Sequence, residues 1–167
     1  MSAETQFRHL KMQVQWRLTH CLNLAQQHFH RTFSPPQVSY EVRGQKAGVA
    51  YLQQNLIKLN RTLLLENPQD FIQQVVPHEL AHLIVFQQFG RVKPHGKEWQ
   101  SVMENIFHLP AEIYHGFDLA SVSPQNIAYQ CQCQTHYLSP RRHQKVLAKS
   151  AVYFCKKCQT ALQRSQS

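Results

Sequence analysis

The segment His78-Glu79-Leu80-Ala81-His82 carries two imidazoles four residues apart, with a carboxylate beside the first. On an α-helix, positions i and i+4 share one face, so both rings can reach one ion. Zinc suits this donor set and brings the pKa of a water it polarises toward neutrality. Glu79 stands where it can take that water's proton, so the expected chemistry is hydrolysis of a peptide bond with the metal steadying the oxyanion. A catalytic zinc takes three protein ligands and keeps one position open. The compact third-ligand spacing places Gln88 where a histidine would stand, so the third ligand lies farther on. His95, in Pro94-His95-Gly96-Lys97-Glu98-Trp99, is the leading candidate, with Glu98 and Glu104 as alternatives. Trp99 and Val102 read as core residues, and Tyr114 and His115 as candidates to help hold the oxyanion.

A second constellation is Cys131-x-Cys133-x2-His136, then eighteen residues, then Cys155-x2-Cys158. Two close pairs around a hairpin-length insert form a zinc-ribbon pattern, a closed structural site without an open position. Cys155 and Cys158 have knuckle spacing. The other pair is Cys131 with Cys133, or Cys133 with His136, and His143 is a further candidate. Cys21 stands alone as an inert thiol. Between the pairs lie Arg141, Arg142 and Lys145, with Tyr129, Tyr137, Tyr153 and Phe154 interleaved. Base plus aromatics on a ribbon suits phosphates and stacked bases, so DNA or RNA is a candidate partner.

These residues need elements to hold them. Phe7, Leu10, Val14, Leu18, Cys21, Leu22, Ala25 and Phe29 recur at helical spacing and predict a helix over 4–30. Residues 37–42, 49–52 and 56–59 read as strands of a small antiparallel sheet. Asn67-Pro68 opens a helix that runs through the two-histidine motif to Gly90, with a kink or restart at Pro77. A further helix is predicted over 97–108. Residues 111–128 are unpatterned and read as a linker.

The 167 residues suit one compact domain with a small satellite, divided here as 1–118 and 119–167. The charge divides the same way. Of the net +9, residues 1–118 carry 11 basic and 9 acidic side chains, whereas 119–167 carry 7 basic and none acidic. The composition, 43% hydrophobic and 16% charged, excludes a disordered acidic chain. No window approaches the ~20 apolar residues of a membrane span. Met1 to Arg8 lacks the apolar run of a signal peptide, so a cytoplasmic monomer with reduced cysteines is expected.

The chain resembles the bacterial SprT family and, more distantly, the Spartan DNA–protein crosslink proteases. The matching pieces are Tyr51-Leu52, Ile57-Lys58-Leu59-Asn60, Val76 to His82, Pro94 to Trp99, Tyr129 to Cys133, Arg141-Arg142-His143 and Cys155 to Cys158. The resemblance implies an α+β, zincin-like (minimal gluzincin-type) domain with His78, His82 and His95 as ligands and Glu79 as general base. It also implies an appended zinc ribbon, hence one catalytic and one structural zinc. The Spartan relatives cut proteins on DNA, and a regulatory link to transcription is implied for the bacterial branch. Two functions follow as expectations. One is a zinc metalloprotease of narrow or conditional activity on protein or peptide substrates. The other is a non-proteolytic zinc protein associated with DNA or RNA.

Overall fold

The computed structural model describes residues 2–165, which fall into two compact units with their boundary between Val122 and Ser123. That boundary lies four residues beyond the 118/119 division read from charge.

The first unit opens with helix α1 (Ala3–Phe29), capped by the Ser2 hydroxyl, which accepts from the Thr5 amide. Its apolar stripe, from Phe7 to Ala25, is buried, and the helix ends at His30 in the left-handed region. Strands β1 (Gln37–Ser39), β2 (Gly48–Tyr51) and β3 (Leu56–Leu59) form a sheet in the order β1-β3-β2. The sheet is mixed, which corrects the expected antiparallel one: β2 pairs antiparallel with β3, but β1 pairs parallel with β3. The chain still alternates in direction, yet the third strand takes the centre. Ile57 and Leu59 of β3 are fully buried, whereas β2 has no fully buried residue, so the more apolar strand goes inside.

Asn60 caps α2 (Arg61–Glu66), its side chain accepting from the Leu63 amide. A single turn, α3 (Pro68–Asp70), leads through a π-helical turn (Phe71–Val75) into α4 (Val76–Phe89) without a break. Proline has no N–H to bond the carbonyl four residues back. Here that carbonyl is Gln73, and the Arg17 guanidinium donates to it at 3.2 Å. Pro77 therefore sits in the first turn of α4 beneath a wide turn, a common device at functional sites. Gly90 ends α4. Helix α5 (Lys97–Ser101) continues into a second π turn (Val102–Ile106). The core is a single cluster joining the α1 stripe, β3, α4 and Trp99, Val102 and Met103.

The second unit is an antiparallel sheet, β4 (Ile127–Gln130), β5 (Thr135–Leu138) and β6 (Gln163–Arg164), in the order β5-β4-β6. Helix α6 (Pro140–Leu147) follows β5, capped by the Ser139 hydroxyl. Its described core is small: Tyr129, Leu138, Cys155 and His143 are buried. Among the described residues no helix is long and apolar enough to cross a membrane.

Candidate metal centres

Helix α4 places His78 and His82 one turn apart on the face turned toward the loop before α5. That loop carries His95, whose φ of 56° swings its ring back to meet them. The Nε2 atoms stand 3.3 Å apart for His78–His82, 3.1 Å for His82–His95 and 3.0 Å for His78–His95. Each Nε2 has one proton or one lone pair in the ring plane, so three such atoms cannot all hydrogen-bond one another. A common ion removes that conflict. Nitrogens about 2.0–2.1 Å from a tetrahedral zinc stand roughly 3.3 Å from one another, so the donor set fits. Glu98 and Glu104 do not join this cluster; among the described residues it is His78, His82 and His95.

The surroundings prepare these rings to bind. His78 Nδ1 donates to the Glu112 carbonyl at 3.2 Å, which leaves Nε2 with its lone pair free. Trp99 forms the floor: its indole N–H donates to the His78 carbonyl at 3.2 Å, and its ring stacks on His82. Burial, reinforced by the neighbouring imidazoles, pushes the His78 pKa down to about 4 and that of His82 to about 3. Burial lowers His95 as well. All three are thus neutral near pH 7, the form that binds metal.

Glu79 turns away from the core toward β2. It is 7% exposed, and burial raises its carboxyl to about 7, opposed by the Ala50 amide that donates to it. A carboxyl that titrates near 7 can both take and return a proton at neutral pH. Gly48 leaves the space it needs, since a Cβ there would stand 2.9 Å from Glu79 Cγ. His78 and Glu79 line one wall of a cavity of about 390 Å³, with residues 45–48, 112–115 and Leu119 around it.

The linker reading of 111–128 is incomplete, because Glu112 to His115 frame this cavity. His115 is not free to hold an oxyanion. Its Nε2 bonds the Gln45 carbonyl at 3.2 Å, and its Nδ1 accepts from the Phe117 amide at 3.4 Å. Tyr114 is exposed at the cavity mouth. Trp99 was read as core and is buried, but its second task at the histidines has no spacing signature.

In the second unit, Cys131 and Cys133 in the β4–β5 turn meet Cys155 and Cys158 in the knuckle, with all four sulfurs within 4.8 Å of one another. The Cys131–Cys133 and Cys133–Cys155 separations, 3.5 and 3.7 Å, match the roughly 3.8 Å of a tetrahedral zinc–thiolate site. The Thr160 hydroxyl and amide lower the Cys158 thiol to about 6. His136 Nε2 lies 3.3 Å from Cys131 Sγ, beside the four sulfurs. His143 is elsewhere, with its Nδ1 2.8 Å from the Tyr129 hydroxyl. Of Arg141, Arg142 and Lys145, Arg142 lines an open groove of about 490 Å³. It shares that groove with Tyr137, Tyr153, Phe154, Lys156 and Lys157.

Comparison with known proteins agrees with this geometry. The SprT-like family matches residues 18–115. Protein SprT of Pasteurella multocida (strain Pm70) is 65% identical over 162 residues, 97% of this chain and 98% of that protein. The chain belongs to the SprT family. Protein SprT of Actinobacillus succinogenes is 63% identical over 163 residues, 98% of this chain and 96% of that one. Protein SprT of Yersinia pestis is 51% identical over 154 residues, 92% and 91% of the two chains. The SprT relatives thus extend over the cysteine unit as well as the histidine unit. No solved structure matches the chain.

Proposed function

We propose that this SprT family member is a cytoplasmic, monomeric zinc metalloendopeptidase of narrow or conditional activity. In this reading the first unit is a zincin-like peptidase domain, and the second is a structural zinc ribbon. The observation that carries the reading is the triangle of His78, His82 and His95 nitrogens with a buried Glu79 opening on the same cavity. Zinc held by the three imidazoles supplies Lewis-acid polarisation of the scissile carbonyl and of water. Glu79 takes the water's proton as its oxygen attacks the carbonyl carbon. It then delivers that proton to the amide nitrogen as the C–N bond breaks. The Glu112 carbonyl and Trp99 hold His78 in the tautomer and position that this needs. In the ribbon, Cys131, Cys133, Cys155 and Cys158 are the ligands, and His136 lies against the Cys131 sulfur.

The groove on the second unit favours nucleic-acid-associated proteins as substrates. Tyr137 and Phe154 are 67% and 59% exposed beside Arg142, Lys156 and Lys157. Flat rings next to cations bind unpaired bases and phosphates. The same groove supports the second reading, a zinc protein that binds nucleic acid without proteolysis. Digestion of an unfolded protein and of a DNA-bound protein by wild type and Glu79→Gln separates the two. The proposal expects wild type to cut and Glu79→Gln to lose at least about 100-fold in rate while keeping its zinc. Equal cleavage by both proteins would remove Glu79 from the chemistry. Salt-dependent DNA binding by the full chain, with no cleavage of either substrate, would favour the second reading.

A further inference from the structure

We propose that the cavity beside Glu79 is a side-chain pocket that selects an apolar residue on the amine side of the scissile bond, a reading that rests on the hydrolytic function above. Its volume of about 390 Å³ falls in the roughly 300–1,000 Å³ range of ligand pockets. Ala47, Val75, Ile113 and Leu119 supply apolar wall, and the Tyr114 ring stands at the mouth. Ala47 and Val75 are buried in the core and give the wall a fixed base. Ile113 and Tyr114 are 44% and 87% exposed, so large apolar side chains are left open to water around one concavity. Apolar surface grouped in this way marks a binding site, whereas the same residues scattered singly would not.

Two further observations set the class and the side. Lys46 and Glu112 also line the cavity, both exposed and of opposite charge. They present no single sign to select a charged side chain, so burial of apolar surface is what discriminates. Hydrolysis sends the water's hydroxyl to the carbonyl carbon and its proton to the nitrogen. Glu79 carries that proton, so the leaving nitrogen comes to Glu79. The side chain next to that nitrogen then falls into the cavity that Glu79 lines.

The test uses the full-length, zinc-loaded Glu79→Gln protein and capped pentapeptides that differ only at the central residue. Calorimetry is expected to show the leucine peptide binding at least about 10-fold more tightly than the glycine peptide, with the lysine peptide no tighter than glycine. Adding Ile113→Glu, at an exposed position outside the core, is expected to erase the leucine preference. Equal affinity for all three peptides, or a preference untouched by Ile113→Glu, overturns the proposal. Cut sites mapped in unfolded casein digested by wild type read the side. Leu, Ile, Met or Phe directly after the broken bond supports the assignment. No enrichment there overturns it while leaving the peptidase reading intact. A wild type that cuts nothing, while Glu79→Gln still tells leucine from glycine, supports the pocket and overturns the hydrolytic reading.

Discussion

Gly48 has no side chain where Glu79 needs the room. A Cβ at Gly48 would meet Glu79 Cγ at 2.9 Å and Oε1 at 3.0 Å, closer than real contacts allow. Gly48→Ala is therefore expected to move the carboxylate and lower kcat at least about 10-fold while zinc content stays unchanged; turnover and metal analysis of one preparation check it. Trp99→Phe keeps the ring but loses the N–H donated to the His78 carbonyl. Zinc affinity at the histidine site is expected to fall by about 10-fold, read by competition with a chromogenic chelator. Cys21 gives the pH prediction. Burial raises its thiol from 9.0 to about 11, with Arg17 opposing. A raised folded-state pKa means that the contribution is whole below pH 9 and is lost as pH rises through about 11. The loss amounts to roughly 2–3 kcal/mol. Urea unfolding between pH 8 and 11.5 should show this slope in wild type and a shallower one in Cys21→Ala. These residues differ in legibility. The spacing of His78, Glu79 and His82 states a shared helical face directly, and the segment around His95 was readable beside it. The tasks of Gly48 and Trp99 depend on which strand and which loop arrive beside the motif, and no spacing encodes that.

At the scale of elements, Asn60 joins the strand layer to the cavity wall. Its Nδ2 donates to the Gly44 and Lys46 carbonyls at 2.8 and 2.9 Å, and its Oδ1 accepts from Leu63. Asn60→Ala removes three hydrogen bonds at a buried position, so stability should drop by about 2–4 kcal/mol in urea unfolding. Activity should fall with it, because residues 45–48 lose their tether. The helices were readable because their apolar stripes are long: α1 was predicted over 4–30 and runs Ala3–Phe29. The strands were located but their order was not. Pairing is decided by burial, and Ile57 and Leu59 sit at the centre only once α1 and α4 are present to cover them. Pro77 left a kink or a restart open. The answer, a π turn with Arg17 on the orphaned Gln73 carbonyl, depends on a residue sixty positions upstream of the proline. Helix α6 had a local signal in Ser139-Pro140, an N-cap followed by proline in the first turn, that charge and cysteine spacing overshadowed. Residues 112–115 had none, because their main contribution is a backbone carbonyl.

At the scale of the molecule, the two units rest on different physics. Residues 1–122 bury a continuous apolar cluster, whereas the second unit buries Tyr129, Leu138, Cys155 and His143 and little else. A unit with so small a core needs its metal to stay folded. Chelation is therefore expected to abolish amide protection in 123–167 while the helices of 1–122 stay protected, which hydrogen exchange reads directly. The charge follows the same division: the second unit has seven basic and no acidic residues, so an anionic partner meets the protein there. The central claim is that two separate donor sets each hold an ion, one for chemistry and one for structure. Native mass spectrometry of the intact protein tests it most directly. The account predicts two zincs per chain, falling to one in His78→Ala and to one in Cys155→Ser. A single zinc that persists unchanged in His78→Ala would contradict it.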